Sequence, residues 1–360
     1  MSTSRLELLR EQIQPMDRES YERAKRRWDA IAKPLHSLGL LEEAIAEIAG
    51  MTQSESVFLE KAALLICCAD NGVVEEGVTQ TGQEVTAVVT ANFTRGSSCV
   101  CLMAERCGVS VIPVDLGVAK EWKDEELGSK YPLRMKKIAM GTKNFVKEAA
   151  MTRKEAEQAI FVGVELVKEQ KERGTQILAV GEMGIGNTTS SSAVASVLLG
   201  KEAARMTGRG AGLSDAGLQR KIQVIEQAIH LHNPDYRDPV DVLAKVGGLD
   251  LAGMMGIFLG AALYRLPVVM DGFISAAAAL LACSFHPAVK DYLLASHVSA
   301  EPAALEILTF LGKKAPIQAH LSLGEGTGAV AALPLYQMAA RVYEQMTTFE
   351  ENEIEAYHPL

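Results

Sequence analysis

Apolar residues along the chain come in short runs that end on glycine or aspartate, each followed by a stretch of helical length. Ala62 to Cys68 closes at Asp70-Asn71-Gly72, Val109 to Val114 at Asp115-Leu116-Gly117, and Gln176 to Val180 at Gly181. Pro267 to Met270 closes at Asp271-Gly272, and Ile317 to Leu323 at Gly324. Short apolar runs bounded by glycine and aspartate read as strands. Helix-length segments between them predict an α/β fold, a mainly parallel sheet with helices on both faces, Rossmann-like. Before Lys61 the pattern differs. Tyr21 to Ala32 is charged and free of breakers until Lys33-Pro34 stops it, and Leu40 to Ile48 is amphipathic, so two helices are expected. A C-terminal helix is expected from Tyr336 to Met346. The predicted organisation is an N-terminal helical part over 1–55, an α/β catalytic domain over 56–335, and a C-terminal helix in 336–360 that joins the N-terminal helices in a smaller helical domain.

Parallel α/β sheets bind ligands beyond the carboxyl ends of their strands, and most of the unusual glycines and acids of this chain fall there. Gly181-Glu182-Met183-Gly184-Ile185-Gly186-Asn187-Thr188-Thr189 puts an acid in a glycine-rich turn before a helix of small residues. Asn187 or Thr188 can cap that helix, and its first amides suit an anion such as a phosphate. Gly208 to Leu218 is a further glycine-rich segment, ahead of a helix carrying Lys221. Leu323-Gly324-Glu325-Gly326-Thr327-Gly328-Ala329 encloses a second acid. A solvated surface glutamate needs no flanking glycines, whereas one that touches a ligand uses them for close backbone approach and positive φ. Enclosure raises a carboxyl pKa and suits Glu325 to act as a general base. A structural carboxylate capping neighbouring amides is the alternative for this residue.

Composition narrows the chemistry. The chain has 360 residues, 48% hydrophobic, enough for one large core or two moderate ones, and a net charge of −9 that argues against a nucleic-acid-binding face. The longest apolar stretch, Ala252 to Met270, is interrupted by Arg265 and Pro267 and reads as buried core, not a membrane span. The N-terminus is polar, so no signal peptide is expected, and the six cysteines lack paired spacing, as in a reduced cytoplasmic protein. His230 and His232 diverge on a helix, and no metal or cofactor is expected. GxxxxGK[ST] and GxSxG are absent. Gly324-x-Gly326-x-x-Ala329 matches a dinucleotide fingerprint in form only, because Glu325 would stand where pyrophosphate must approach. A group transfer on a phosphorylated small molecule is what these residues suit.

Four segments, at Gly181 to Thr189, Asp271-Gly272-Phe273-Ile274, Ser296-His297-Val298-Ser299-Ala300-Glu301 and Leu323 to Ala329, closely resemble the nicotinate-nucleotide–dimethylbenzimidazole phosphoribosyltransferases of cobamide lower-ligand assembly. The resemblance runs in order from Lys33-Pro34-Leu35-His36-Ser37-Leu38-Gly39 through Asp70-Asn71-Gly72-Val73, Gln83-Glu84-Val85-Thr86, Asn92-Phe93, Gly141-Thr142-Lys143-Asn144-Phe145 and Asp215-Ala216-Gly217-Leu218. It implies transfer of phosphoribose from nicotinate mononucleotide to a benzimidazole-type base, with Glu325 taking the azole proton and single inverting displacement at the anomeric carbon. It also implies that Glu182 and the amides after Gly184, including Gly186 and Asn187, hold the nucleotide. By the same resemblance Lys221 and Ser299 contact its phosphate region, Gln83 edges the base pocket, Gly324 and Gly326 shape the catalytic loop, and the chain forms a homodimer. Asp271, before Gly272, has two roles open to it: capping the next helix or binding ribose. Asn71 stands where the family usually has histidine, Ser322 where it has arginine and Ala304 where it has histidine. These departures leave the accepted base open among dimethylbenzimidazole, other benzimidazoles, adenine and phenols.

Overall fold

The computed structural model describes residues 4–357, so the outermost residues of both end segments, 1–3 and 358–360, lie outside it. Six strands form one sheet: β1 (Ala62–Ala69), β2 (Ser110–Gly117), β3 (Arg134–Met135), β4 (Ile177–Met183), β5 (Val268–Met270) and β6 (Leu293–Ala295). They lie in the order β3-β2-β1-β4-β5-β6, and every pairing is parallel. The order reverses direction at β1, which pairs with β2 on one side and β4 on the other, and that reversal opens a crevice at the strand ends.

The helices of the first half are α1 (Arg5–Gln12), α2 (Arg18–Ala30), α3 (Leu40–Thr52), α4 (Glu84–Arg95), α5 (Cys99–Arg106), α6 (Arg153–Glu172) and α7 (Asn187–Leu199). Those of the second half are α8 (Ala203–Met206), α9 (Asp215–His232), α10 (Pro239–Val246), α11 (Leu249–Tyr264), α12 (Phe273–Phe285), α13 (Ala304–Leu311) and α14 (Thr327–Gln345). Every residue of β1 is buried, as its apolar sequence AALLICCA requires of a central parallel strand. Alternate side chains serve the two layers. Cys67 lies against α11, while Leu64 lies against the start of α14. The glycine-rich apolar run from Ala252 is the buried helix α11 followed by β5, and among the described residues no helix is long and apolar enough to cross a membrane.

Four of the five expected strands are present, and one expectation is corrected. Ile317 to Leu323 is not a strand: Ile317 makes a single bridge to His297, and the segment beyond it is irregular. Gln318, His320 and Ser322 are exposed, and Leu323 is 58% exposed, so the run lacks the two-sided burial that an inner parallel strand needs. The sheet position is taken instead by β6, a Leu-Leu-Ala triplet too short to stand out in the sequence.

The chain ends pack together. The rings of Trp28 and Tyr343 lie 5.1 Å apart, Arg27 Nε donates to the Tyr343 carbonyl at 3.0 Å, and Ile31 bridges Thr348. A buried Lys33–Glu42 pair at 2.7 Å ties the turn between α2 and α3. The C-terminal helix begins well before Tyr336. α14 runs unbroken from Thr327, through Pro334, to Gln345, so one helix joins the Glu325 turn to the packing of the chain ends.

Candidate active site

Three segments converge: the ends of β4 and β5 and the turn that leads into α14. β4 carries Glu182 near its carboxyl end, buried and opposite Cys67 of β1. Gly184 to Gly186 then turns the chain into α7. Gly186, at φ 93°, occupies the cap position itself, and no side chain caps the helix, so the expected capping by Asn187 or Thr188 is corrected. Asn187 is the first helical residue, and its side chain turns back. The Nδ2 group donates both to Glu182 Oε2 and, at 2.9 Å, to Asp250 Oδ2 near the start of α11. Burial, reinforced by the nearby Asp250 charge, pushes the Glu182 carboxyl up to about 8, and burial pushes Asp250 up to about 6.

The second segment is the turn before α14. Gly324, Glu325 and Gly326 have φ of 88°, 61° and 94°, three left-handed residues in succession. Glycine adopts this region freely, but for Glu325 it costs about 1–2 kcal/mol, so surrounding contacts must hold it. Asp271, at the end of β5, supplies them. Its Oδ2 accepts from the Gly326 N–H at 3.1 Å and its Oδ1 from the Ala329 N–H at 3.0 Å. Asp271 therefore caps α14 from outside, not α12, which follows it in sequence. Burial pushes its carboxyl up to about 6 against the downward pull of these N–H groups. Gly181 lies directly beneath, where a Cβ would overlap the Glu325 carbonyl. The Glu325 side chain is half-buried, and its Oε2 accepts from the Val100 N–H at the start of α5 at 3.4 Å. Burial raises its pKa, and the Val100 contact opposes this only in part.

These segments wall a cleft of about 420 Å³. The β4–α7 turn contributes Glu182, Gly184, Gly186 and Asn187; Asp271 and Gly272 follow β5; Ser299, Gly324 and Glu325 close the far side. Three expected site residues do not line it. Gly326 packs under the turn on Leu64. Gln83 lies at the start of α4 in an adjacent cavity with Asp70 and Trp122, and its Nε2 donates to the Asn71 carbonyl at 3.0 Å. Lys221 is wholly buried in α9, with Nζ donating to Thr188 Oγ1 at 2.8 Å and to the Gly208 carbonyl at 3.3 Å. Burial pushes its ammonium down to about 8.

Three residues on or behind the wall were not singled out from the sequence. Arg209 lines the cleft as the cation of its glycine-rich loop, with Nη1 on the Leu213 carbonyl at 2.8 Å. Glu301 holds the same loop through the Gly210 N–H at 3.0 Å. Asp250, buried behind Asn187, is an acid within a long apolar helix, and that incongruity is a readable signal. A charged residue among glycines is the corresponding signal for Arg209.

A parallel sheet with a cleft beyond its strand ends, walled by the buried Glu182, an uncapped helix start and the raised Glu325 carboxyl on a strained turn, is the architecture of an α/β ligand-binding enzyme site. A family profile described as phosphoribosyltransferase matches residues 13–354. The chain is 45% identical over 342 residues to the nicotinate-nucleotide–dimethylbenzimidazole phosphoribosyltransferase of Acetivibrio thermocellus, covering 95% of this chain and 96% of that one. It is 46% identical over 339 residues to the protein of the same name from Chloroflexus aggregans, covering 94% and 95%. The crystal structure of CobT from Thermus thermophilus superposes with a TM-score of 0.88 at 38% identity, covering 94% of this chain and 100% of that one. The chain belongs to this phosphoribosyltransferase family and is an enzyme of that class.

Proposed function

We propose that the protein transfers phosphoribose from nicotinate mononucleotide to a benzimidazole-type base, 5,6-dimethylbenzimidazole, giving α-ribazole 5′-phosphate and nicotinate in cobalamin nucleotide-loop assembly. The observation that carries this reading is the Glu325 turn: a carboxylate of raised pKa, fixed in a left-handed conformation at the rim of a cleft opposite the α7 start. Glu325 takes the azole N–H proton. The second ring nitrogen attacks the anomeric carbon as the glycosidic bond to the pyridinium breaks, its electron pair returning to the ring nitrogen of the departing nicotinate. A single displacement inverts the β-nucleotide to the α-product through an oxocarbenium-like state.

The cleft divides accordingly. Glu182, Asn187 and the backbone at Gly184 and Gly186 hold the nucleotide, Ser299 meets its phosphate region, and Asp271 with Gly272 forms the floor that keeps Glu325 in place. Arg209 supports this reading by bringing a guanidinium, paired with Asp215, to the same wall. Lys221 serves the phosphate end by fixing Thr188 and the Gly208 loop, and Gln83 bounds the base end from the neighbouring cavity. The enzyme works in the cytoplasm as a homodimer without a cofactor, its chain divided at about residues 55 and 335. Leu305 and Phe310, exposed on α13, are the kind of apolar surface a second copy would cover.

Incubating the purified protein with nicotinate mononucleotide, with and without 5,6-dimethylbenzimidazole, tests the reading. Base-dependent nicotinate release with formation of the α-anomer is expected. Release without the base would mark a nucleotide hydrolase instead, and saturable binding without turnover a sensor.

A further inference from the structure

Asp250 does not line the cleft, but its carboxylate lies behind the wall against Gly184 and is hydrogen-bonded to that wall by one side chain. The Asn187 side-chain amide has two hydrogens, and it gives one to Glu182 Oε2 and the other to Asp250 Oδ2. Asp250 Oδ1 is anchored in turn by the Leu251 N–H at 2.9 Å. Both acids are buried, at 6% and 0% exposure. On its other side the Glu182 carboxylate faces the Glu325 backbone N–H and packs against Gly324, so the bridge ends at the catalytic turn.

The groups facing Glu182 are the Asp250 and Asp271 carboxylates and the Cys67 and Cys68 thiols of β1, and Asp250 is faced by Asp70. Burial keeps the two thiols protonated and neutral, so the charges that repel one another are those of the carboxylates. Two buried carboxylates a single amide apart cannot both ionise cheaply, and one must keep its proton. Glu182 is the member at the cleft, and a protonated Glu182 is a hydrogen-bond donor where an ionised one is an acceptor only.

We propose that Asp250 is a positioning residue of the transfer reaction: through the Asn187 amide it fixes the orientation of Glu182 and keeps a proton on it, so that Glu182 donates a hydrogen bond to the nucleotide and steadies the Glu325 turn. This rests on the cleft being the transfer site. The charge on Asp250, not merely its shape, is what the role requires.

Asp250→Asn removes the charge and keeps the size. Difference infrared spectra at neutral pH read the proton directly, whatever the activity. The wild type is expected to show a protonated-carboxyl band that Glu182→Gln lacks and that Asp250→Asn weakens or loses. In nicotinate release with 5,6-dimethylbenzimidazole, kcat of Asp250→Asn is expected to fall roughly tenfold, more than KM changes, as for a misplaced contact. The alkaline limb of its pH profile is expected to move down by about one unit, as for removal of a like charge. A wild-type spectrum matching Glu182→Gln overturns the proposal, as does a folded Asp250→Asn with unchanged band and pH profile. If Asp250→Asn does not fold, the smaller and equally uncharged Asp250→Ser replaces it; if neither folds, Asp250 is structural and the proposal fails. Should no transfer occur in any form, the infrared comparison still decides the proton arrangement.

Discussion

Replacing Asp271 separates the cap from the residue it serves. Asp271→Ala leaves the Gly326 and Ala329 N–H groups, both in the interior, without the acceptors they have at 3.1 and 3.0 Å. Each unsatisfied buried amide costs about 1–3 kcal/mol, giving a gross loss of about 2–6 kcal/mol. Removing a carboxylate that burial already disfavours returns part of that, so a net loss of about 3 kcal/mol is expected. Asp271→Asn keeps one carbonyl oxygen and therefore one of the two bonds, and should lose about half as much. Urea unfolding at pH 7 of the wild type and both variants measures this. Activity should fall further than stability predicts, because Asp271 holds the far end of the left-handed turn that presents Glu325. An alanine variant within about 0.5 kcal/mol of wild type, well under the cost of one unsatisfied amide, would refute the argument, as would an asparagine variant less stable than the alanine one.

The close approach of Gly181 to the same turn sets a second expectation. Gly181→Ala pushes a methyl into the Glu325 carbonyl and should cost about 1–3 kcal/mol of overpacking while abolishing most nicotinate release; a stable, fully active variant would contradict the close approach. The buried acids also set a pH dependence. Asp250 and Asp271 titrate near 6 and Glu182 near 8, above their ordinary values of 3.8 and 4.5, so across those windows the folded chain holds more protons than the unfolded one and stability falls as pH rises. Lys221, pushed down only to about 8, stays charged below that pH and does not reverse the trend. The urea midpoint should be higher at pH 5.5 than at pH 8, and the opposite order would contradict the assigned shifts.

The sheet was legible wherever burial on both faces wrote a continuous apolar run, as in β1 and β4. It was illegible where the strand was short: β3 and β6 have two and three residues, and their place in the sheet comes from neighbours and not from their own pattern. Ile317 to Leu323 read as a strand because isoleucine and leucine bracket it, but its polar positions face solvent. The paired glycines around Glu325 signalled close backbone approach or positive φ, and the structure shows positive φ at all three residues. What the sequence did not carry was the partner of that turn. Asp271 lies far from Gly326 along the chain, and its choice of α14 over the adjacent α12 depends on where β5 ends in the sheet. Lys221 likewise read as facing the phosphate, whereas packing of α9 on α7 puts its ammonium behind the wall, on Thr188 and Gly208. Asp250 joins the site only because α11 packs across β1 and β2 and starts beside the β4–α7 turn, a relation no local pattern contains.

The most direct test of the account is nicotinate release from nicotinate mononucleotide by wild type and Glu325→Gln, with 5,6-dimethylbenzimidazole present or omitted. Glutamine fills the same space and keeps an acceptor for the Val100 N–H, but it cannot take a proton. Release that requires the base and falls by roughly a hundredfold or more in the variant, as for loss of a general base, is the predicted result. Equal rates in the two proteins would contradict the central role of Glu325.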